Sequence, residues 1–71
     1  MMEQTIKNNY RSLLKEYHLT SDYFHATGEA RLFSFALENL CKFELRIIQL
    51  WSENELAQMQ EELVQEGIEM V

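Results

Sequence analysis

The stretch that decides the fold is residues 29–51, EARLFSFALENLCKFELRIIQLW. On a helical wheel its polar side chains gather in one arc, and its apolar side chains fill the opposite arc, which is roughly 180° wide. A helix that packs on one side only has an apolar arc of about 100°. We therefore predict a long helix that is covered on two sides, either by two segments of the chain or by one segment and a partner chain.

A strand is the alternative for the middle of this stretch, because Phe43, Leu45 and Ile47 alternate with polar residues. A strand would leave Ile48 and Trp51 on the wrong face, and no turn residue breaks the run. We therefore favour a helix.

A first helix is predicted from about residue 2 to residue 17, because apolar side chains recur there at three- and four-residue intervals. This face consists of Met2, Ile6, Tyr10, Leu13, Leu14 and Tyr17. Residues 18–28 are predicted to be irregular, with Thr20 or Ser21 capping a short turn of helix and Thr27 capping the helix that follows.

A third helix is predicted from about residue 53 to residue 66. It opens with a capping box, Ser52-Glu53-Asn54-Glu55, in which the serine hydroxyl accepts a hydrogen bond from the amide three residues on. Gly67 stands where a C-cap glycine is expected. On a continuous wheel the apolar stripe rotates by roughly 120° at Ser52. We therefore predict a corner at Trp51–Ser52 and not one long rod.

These segments predict an all-α fold, a single domain over residues 1–71 with three helices, of which the middle one is longest. A chain this small buries only about 60% of its unfolded surface, and one cysteine cannot form an intramolecular disulfide. Self-association would add stability, so we expect a helical homodimer. Its expected interface is the wide face of the middle helix, at Leu40, Glu44, Ile48 and Trp51.

Glu44 is unusual because it falls inside the apolar arc of the middle helix. A buried carboxylate is costly unless it is paired or hydrogen-bonded. It therefore either reaches the edge of the interface, or pairs with an arginine, a histidine or a tyrosine hydroxyl and fixes helix register, or serves as a functional carboxylate. We expect its replacement to change stability or oligomeric state.

The net charge of −6 belongs to the last 25 residues, since residues 1–46 are balanced and no lysine or arginine follows Arg46. Six glutamates follow it: Glu53, Glu55, Glu61, Glu62, Glu66 and Glu69. The acidic helix is either a solvated face or a docking surface for a basic partner. The docking hypothesis assigns partner binding to Glu61, Glu62 and Glu66. It adds Phe35 and Leu45, which fall outside the main apolar arc.

No catalytic motif is present: the chain has no glycine-rich phosphate loop, nucleophile elbow, paired cysteines or H-E-x-x-H pattern. His18 and His25 are seven residues apart, which is not a zinc-binding helical spacing, and Cys41 is predicted at the edge of a buried face. We therefore expect neither an enzyme nor a cofactor or metal site.

The compartment is predicted from two further features. No run of about 20 apolar residues is present, so no membrane-spanning helix is expected. The first nine residues lack an apolar signal core, and a single cysteine suits a reducing compartment. We expect a cytoplasmic protein.

Direct nucleic-acid binding is disfavoured by the charge. A helix-turn-helix over residues 19–40 would present mostly apolar residues in the first turns of its recognition helix. The basic row Lys7, Arg11 and Lys15 is interpreted as a solvated flank.

These observations favour a small non-enzymatic interaction module: a regulator, adaptor or inhibitor that binds another protein through an apolar helix face and the acidic helix. One alternative is a nucleic-acid-linked regulator, either a dimeric DNA binder or an acidic DNA mimic. Another is a structural protein that self-assembles.

Overall fold

The structure, a computed structural model, describes residues 4–70. Within that range the chain forms three helices and no strand: α1 (Gln4–Thr27), α2 (Arg31–Leu50) and α3 (Glu53–Gln65). The predicted all-α fold is confirmed. None of the described helices is apolar over a sufficient length to cross a membrane. Met2, which is expected on the apolar face of the first helix, lies outside the described residues.

The longest helix is α1, with 24 residues against 20 in α2, so the expectation that the middle helix is longest is wrong. The helix continues through residues 18–27, which the sequence pattern predicts to be irregular. There the Thr20 hydroxyl donates to the Glu16 carbonyl at 2.8 Å and does not cap a new helix. A threonine hydroxyl can bond back to the preceding turn, and no glycine or proline ends the helix before Thr27.

The chain reverses at Gly28, which has φ +79°, a left-handed conformation that glycine adopts without steric cost. Its N–H donates to the Phe24 carbonyl at 2.7 Å. Thr27, expected to cap the second helix, is instead the last residue of α1 and donates its hydroxyl to the Tyr23 carbonyl at 2.8 Å. α2 begins at Arg31, whose N–H donates to the Glu29 carboxylate at 2.8 Å.

α1 and α2 are antiparallel, because early positions of α1 meet late positions of α2. Tyr10 stacks on Phe43 with ring centroids 5.2 Å apart, while Phe24 stacks on Phe33 at 5.7 Å. Offset aromatic contacts of this kind add stability beyond burial of area. These rings join the two helices along their length.

The corner predicted at Trp51–Ser52 is confirmed, since α2 ends at Leu50 and α3 begins at Glu53. The Ser52 hydroxyl accepts a hydrogen bond from the Glu55 N–H at 3.1 Å, as the capping box predicts. At the other end of α3, Gly67 has φ +91°. The Ile68 N–H donates to the Leu63 carbonyl at 3.0 Å, and the Gly67 N–H to Val64 at 2.9 Å, which is the Schellman pattern.

The core lies where all three helices meet. Its buried residues are Tyr10, Leu14, Leu40, Ile47, Leu56, Met59 and Leu63. α1 is about 36 Å long and α3 about 20 Å at 1.5 Å per residue, while the longest extent of the molecule is 40 Å. α3 and the residues after it reach α1 as far as His18, whose Nε2 lies 2.7 Å from the Glu69 carbonyl oxygen.

Residues 19–37 therefore form a two-helix end that α3 does not cover. Ala36 is the one residue of this segment that is fully buried. The remaining apolar side chains there are half-buried or exposed.

Candidate functional site

Large apolar side chains are exposed on all three helices. Within residues 4–70 they are Leu19, Tyr23, Leu32, Phe35, Leu37, Leu45, Leu50, Trp51 and Val64. Five of the nine lie in the two-helix end, where Leu19 has 67% of its surface exposed. Scattered exposed apolar residues are ordinary, but a concentration in one region is typical of a contact surface.

Phe35 and Leu45, the predicted partner-binding apolar residues, are both on the surface. Phe35 is 58% exposed and Leu45 is 59% exposed. They lie on the side of α2 opposite Ala36, Leu40 and Ile47, which are buried. Sequence periodicity thus identified a part of α2 that the chain itself leaves open.

The four residues expected in a homodimer interface are placed differently. Leu40 is 1% exposed and belongs to the core of the chain itself, and Ile48 packs partly buried against that core. Trp51 is 40% exposed at the corner before α3. The part of the apolar arc of α2 around Leu40 and Ile47 is covered by α1 and α3, so Leu40 is not available to a partner copy. The same arc stays exposed elsewhere, at Leu32, Leu37, Leu50 and Trp51.

Glu44 lies in a polar cluster that joins all three helices. The Tyr10 hydroxyl donates a hydrogen bond to the Glu44 carboxylate. The Gln60 amide donates to the Tyr10 hydroxyl at 3.0 Å and to Glu44 Oε2 at 3.4 Å. Of the three interpretations of Glu44, this arrangement corresponds to pairing with a tyrosine hydroxyl.

The electrostatics of this cluster follow from burial. Burial and the hydrogen bond to Glu44 raise the pKa of the Tyr10 hydroxyl far above its usual value. Tyr10 is 0% exposed, so its hydroxyl stays protonated and donates to the carboxylate. A half-buried carboxylate is thereby satisfied without a buried cation.

The acidic helix is partly neutralised within the chain. Lys7 Nζ lies 3.1 Å from Glu62 and 2.8 Å from Glu66, and Arg11 Nη2 lies 2.7 Å from Glu66. The basic row was expected to be a solvated flank, but the Lys7 and Arg11 side chains are only 17% and 22% exposed. They pair with α3 because α3 returns alongside α1 after the corner.

Among the three predicted acidic docking residues, only Glu61 has no ion pair within residues 4–70. The hydrogen bonds that Glu66 accepts from Lys7 and Arg11 lower the pKa of Glu66. The hydrogen bonds that Lys7 donates to Glu66 and Glu62 raise the pKa of Lys7. Reversing the charge of Glu62 or Glu66 would therefore disturb the packing of α3 as well as any partner.

Replacing Glu66 with glutamine should lower the melting temperature by a few degrees at most, because ion pairs that solvent still reaches contribute little to stability. The lowered pKa means that wild type has this contribution above the ordinary carboxyl pKa of 4.5 and loses it as the pH falls through the folded-state value. Thermal denaturation from pH 7 to pH 3 at low salt and at about 1 M salt measures it.

Glu61→Gln is the matched control, because it removes the same charge from the same helix. Its melting temperature should stay close to wild type. Equal losses in both variants, or a Glu66→Gln loss that salt does not reduce, would contradict the ion-pair account.

The remaining predicted residues are not brought together. His18 contacts the Glu69 carbonyl, and His25 Nδ1 lies 2.7 Å from the Ser21 carbonyl oxygen of its own helix. Cys41, predicted at the edge of a buried face, is exposed. Within residues 4–70 no group of three or more His, Cys, Asp or Glu side chains is placed to hold a metal ion.

Two features escaped prediction. Gln60 completes the Glu44 cluster, although nothing in its sequence surroundings distinguishes it. The pairing of Lys7 and Arg11 with Glu62 and Glu66 had a signal, since both rows have a four-residue spacing and opposite charge. That signal becomes specific only when the corner at Ser52 is known to return α3 to α1.

Comparison of the chain with protein-family models, with curated proteins and with solved structures finds no match.

Proposed function

We propose that this chain is a small non-enzymatic interaction module, a regulator, adaptor or inhibitor, that binds another protein through the two-helix end. The observation that carries the proposal is the concentration of exposed apolar side chains in residues 19–37, which α3, the third helix of the described range, does not reach. The single exposed Cys41 would remain a thiol in the reducing cytoplasm, which is the compartment we propose.

The partner that this end fits best is an amphipathic helix of another protein. Leu19 and Tyr23 lie one turn apart on α1 and are 67% and 47% exposed, so they form an apolar stripe. Beside Leu19, an open groove of about 460 Å³ runs between α1 and the residues after α3. Its apolar lining is Leu19 and Ile68, and the rest of its lining is Lys15, His18, Gly67 and Glu69. A helix laid into such a groove would bury its apolar face there.

Charge would affect the rate at which the partner associates more than the strength of the final complex. The net charge of −6 favours a partner with a basic surface, mainly by raising the association rate at low salt. Because Glu62 and Glu66 are already paired, we assign the binding itself to the apolar groups.

The nucleic-acid alternative has less support. Four of the six lysine and arginine side chains lie within 4.0 Å of a carboxylate, namely Lys7, Arg11, Arg31 and Lys42. Lys7 and Arg11, whose side chains are 17% and 22% exposed, are poorly available to phosphate. Residues 21–26, the hypothetical first helix of a helix-turn-helix, are part of the 24-residue α1.

The test is a nuclease-treated affinity capture from the native cells, read by mass spectrometry, with three forms of the tagged chain. The forms are wild type, the double variant Leu19→Gln with Tyr23→Gln, and the control Leu50→Gln with Val64→Gln, which changes apolar residues that are 65% and 53% exposed elsewhere. Circular dichroism melts establish that all three are folded.

We expect wild type and the control to capture one stoichiometric partner protein. The Leu19/Tyr23 variant should capture at least tenfold less of it. No protein partner with wild type would refute the interaction module. Equal retention by all three forms would refute the two-helix end as its binding surface.

A further inference from the structure

The outward side of α2 carries a row of exposed side chains at alternating three- and four-residue intervals, the spacing of a coiled-coil seam. The row, called here the outer face of α2, consists of Arg31, Phe35, Glu38, Lys42, Leu45 and Gln49. Glu38 and Lys42, at its centre, have side chains that are 57% and 71% exposed and form an ion pair at 2.9 Å. No described part of the chain covers this face.

The order of residues along the outer face is self-complementary. Phe35 lies five positions before residue 40 and Leu45 lies five after it, while Glu38 and Lys42 lie two before and two after. In a twofold interface, residue i of one copy contacts residue j of the other and the reverse. Antiparallel copies centred at residue 40 would therefore set Phe35 against Leu45 and Glu38 against Lys42, each twice.

We propose that two copies of this chain pair antiparallel through the outer face of α2. Each Phe35 ring enters the partner copy beside Leu45, and each Glu38 faces Lys42 across the twofold axis. A parallel pair would instead place Glu38 against Glu38 and Lys42 against Lys42, which is repulsive. The charge pattern thus selects both the occupant, a second copy, and its direction.

The surface of α2 has a depression beside Leu45 that would accept the Phe35 ring of the other copy. An open depression of about 490 Å³ lies on the outer side of α2, lined by Lys42, Leu45, Arg46 and Gln49 together with Phe43. A phenylalanine side chain from the other copy would fill part of it, with the Arg46 guanidinium available to lie over the ring. Two such insertions bury the two exposed apolar residues of the face, Phe35 and Leu45.

This dimer is distinct from the one expected through Leu40, Glu44, Ile48 and Trp51, because that side of α2 contacts α1 and α3. It also leaves the Leu19 and Tyr23 stripe on α1 free. The Leu19→Gln, Tyr23→Gln variant should accordingly keep the mass of the wild-type assembly, so that failure of the dimer and failure of the proposed function give different results.

The test measures mass by sedimentation velocity from about 10 μM to about 1 mM, a range suited to a small interface. Wild type should reach twice the monomer mass of 8.5 kDa. Glu38→Lys alone and Lys42→Glu alone should be monomers, since each copy then meets like charges. Their equimolar mixture should restore the dimer, because each lysine pair of one variant faces a glutamate pair of the other.

The control is Glu61→Lys, which makes the same charge change at an exposed position of α3 and should leave the dimer unchanged. A monomeric wild type at about 1 mM, or dimers of Glu38→Lys as tight as wild type, would overturn the proposal. Circular dichroism must show that all variants keep the wild-type helix content, which the exposure of both positions leads us to expect.

The direction of pairing is tested by a spin-label distance at position 49, in Gln49→Cys with Cys41→Ser. Antiparallel copies place the two labelled positions nine residues on either side of the axis, about 27 Å apart along the helices. Parallel copies would place them about 10 Å apart. The shorter distance would refute the antiparallel arrangement.

Discussion

Leu40→Ala should lower the free energy of unfolding by about 2–5 kcal/mol and leave much of the protein unfolded at 25 °C. Leu40 is 1% exposed and belongs to the core that α1, α2 and α3 share. Removal of its side chain loses buried apolar area and leaves a cavity. A single core in a chain of this size supplies only about 3–5 kcal/mol, so the loss is comparable with the whole stability. Urea denaturation followed by circular dichroism measures it.

Leu50→Ala is the matched control, because it makes the same change on the same helix at a residue that is 65% exposed. Its effect should stay within about 0.5 kcal/mol. If Leu40→Ala kept the wild-type stability and changed only the mass in solution, Leu40 would belong to an interface between copies and not to the core.

Tyr10→Phe should cost about 1–3 kcal/mol, although it removes only one oxygen atom. The substitution keeps the ring that stacks on Phe43. It takes away the donor to Glu44 and the acceptor of Gln60, and leaves those two groups with only their 3.4 Å contact to each other. Chemical denaturation at pH 7 measures the loss, with Tyr23→Phe, at a residue 47% exposed, as the control.

The raised pKa of Tyr10 also predicts that the folded state loses stability at alkaline pH. A tyrosine in the unfolded chain has a pKa of about 10, and burial raises the pKa of Tyr10 in the folded state. The folded state therefore holds its proton more tightly, so this contribution is fully present below pH 10 and is lost as the pH rises towards the folded-state value.

Wild type should accordingly lose stability above pH 10 more steeply than Tyr10→Phe. Lys7 also has a raised pKa, but it is present in both proteins and cancels in the difference. Parallel stability curves for the two proteins above pH 10 would mean that the Tyr10 hydroxyl is not held in this cluster.

Local signals in the sequence predicted both ends of α3 correctly. The Ser52 hydroxyl reaches the amide of Glu55, three residues away, and Gly67 is needed where the chain adopts φ +91°. Both interactions involve near neighbours in sequence, so the residue types alone are informative. The corner between α2 and α3 was predicted from the capping box at Ser52 together with the rotation of the apolar stripe there.

The end of α1 was mispredicted because a threonine hydroxyl can either cap the start of a helix or bond back to a carbonyl of the helix that contains it. Thr20 and Thr27 are good caps, yet each bonds back to a carbonyl of its own helix. Which use prevails depends on packing beyond the segment, here the contact of Phe24 with Phe33 on α2. Propensity alone could not decide it.

The partners of charged residues were the least predictable part of the site. The helical wheel of α2 places Glu44 in the apolar arc and thus predicts that its carboxylate needs a partner. That partner, Tyr10, lies 34 positions away on α1. Similarly, Glu62 and Glu66 read as a free acidic surface until α3 is placed beside Lys7 and Arg11. The exposure of Phe35 and Leu45, by contrast, could be predicted from the helical wheel of α2 alone.

The unequal lengths of α1 and α3 have a consequence for cooperativity. Of the eight residues that are buried within the described range 4–70, Ala36 alone lies in the two-helix end, and the other seven lie where three helices meet. Regions with few buried apolar contacts open at lower free energy than the global transition. We therefore expect the two-helix end to open locally and the three-helix core to open only on complete unfolding. A partner bound to the two-helix end would slow amide exchange there and leave exchange in the core unchanged.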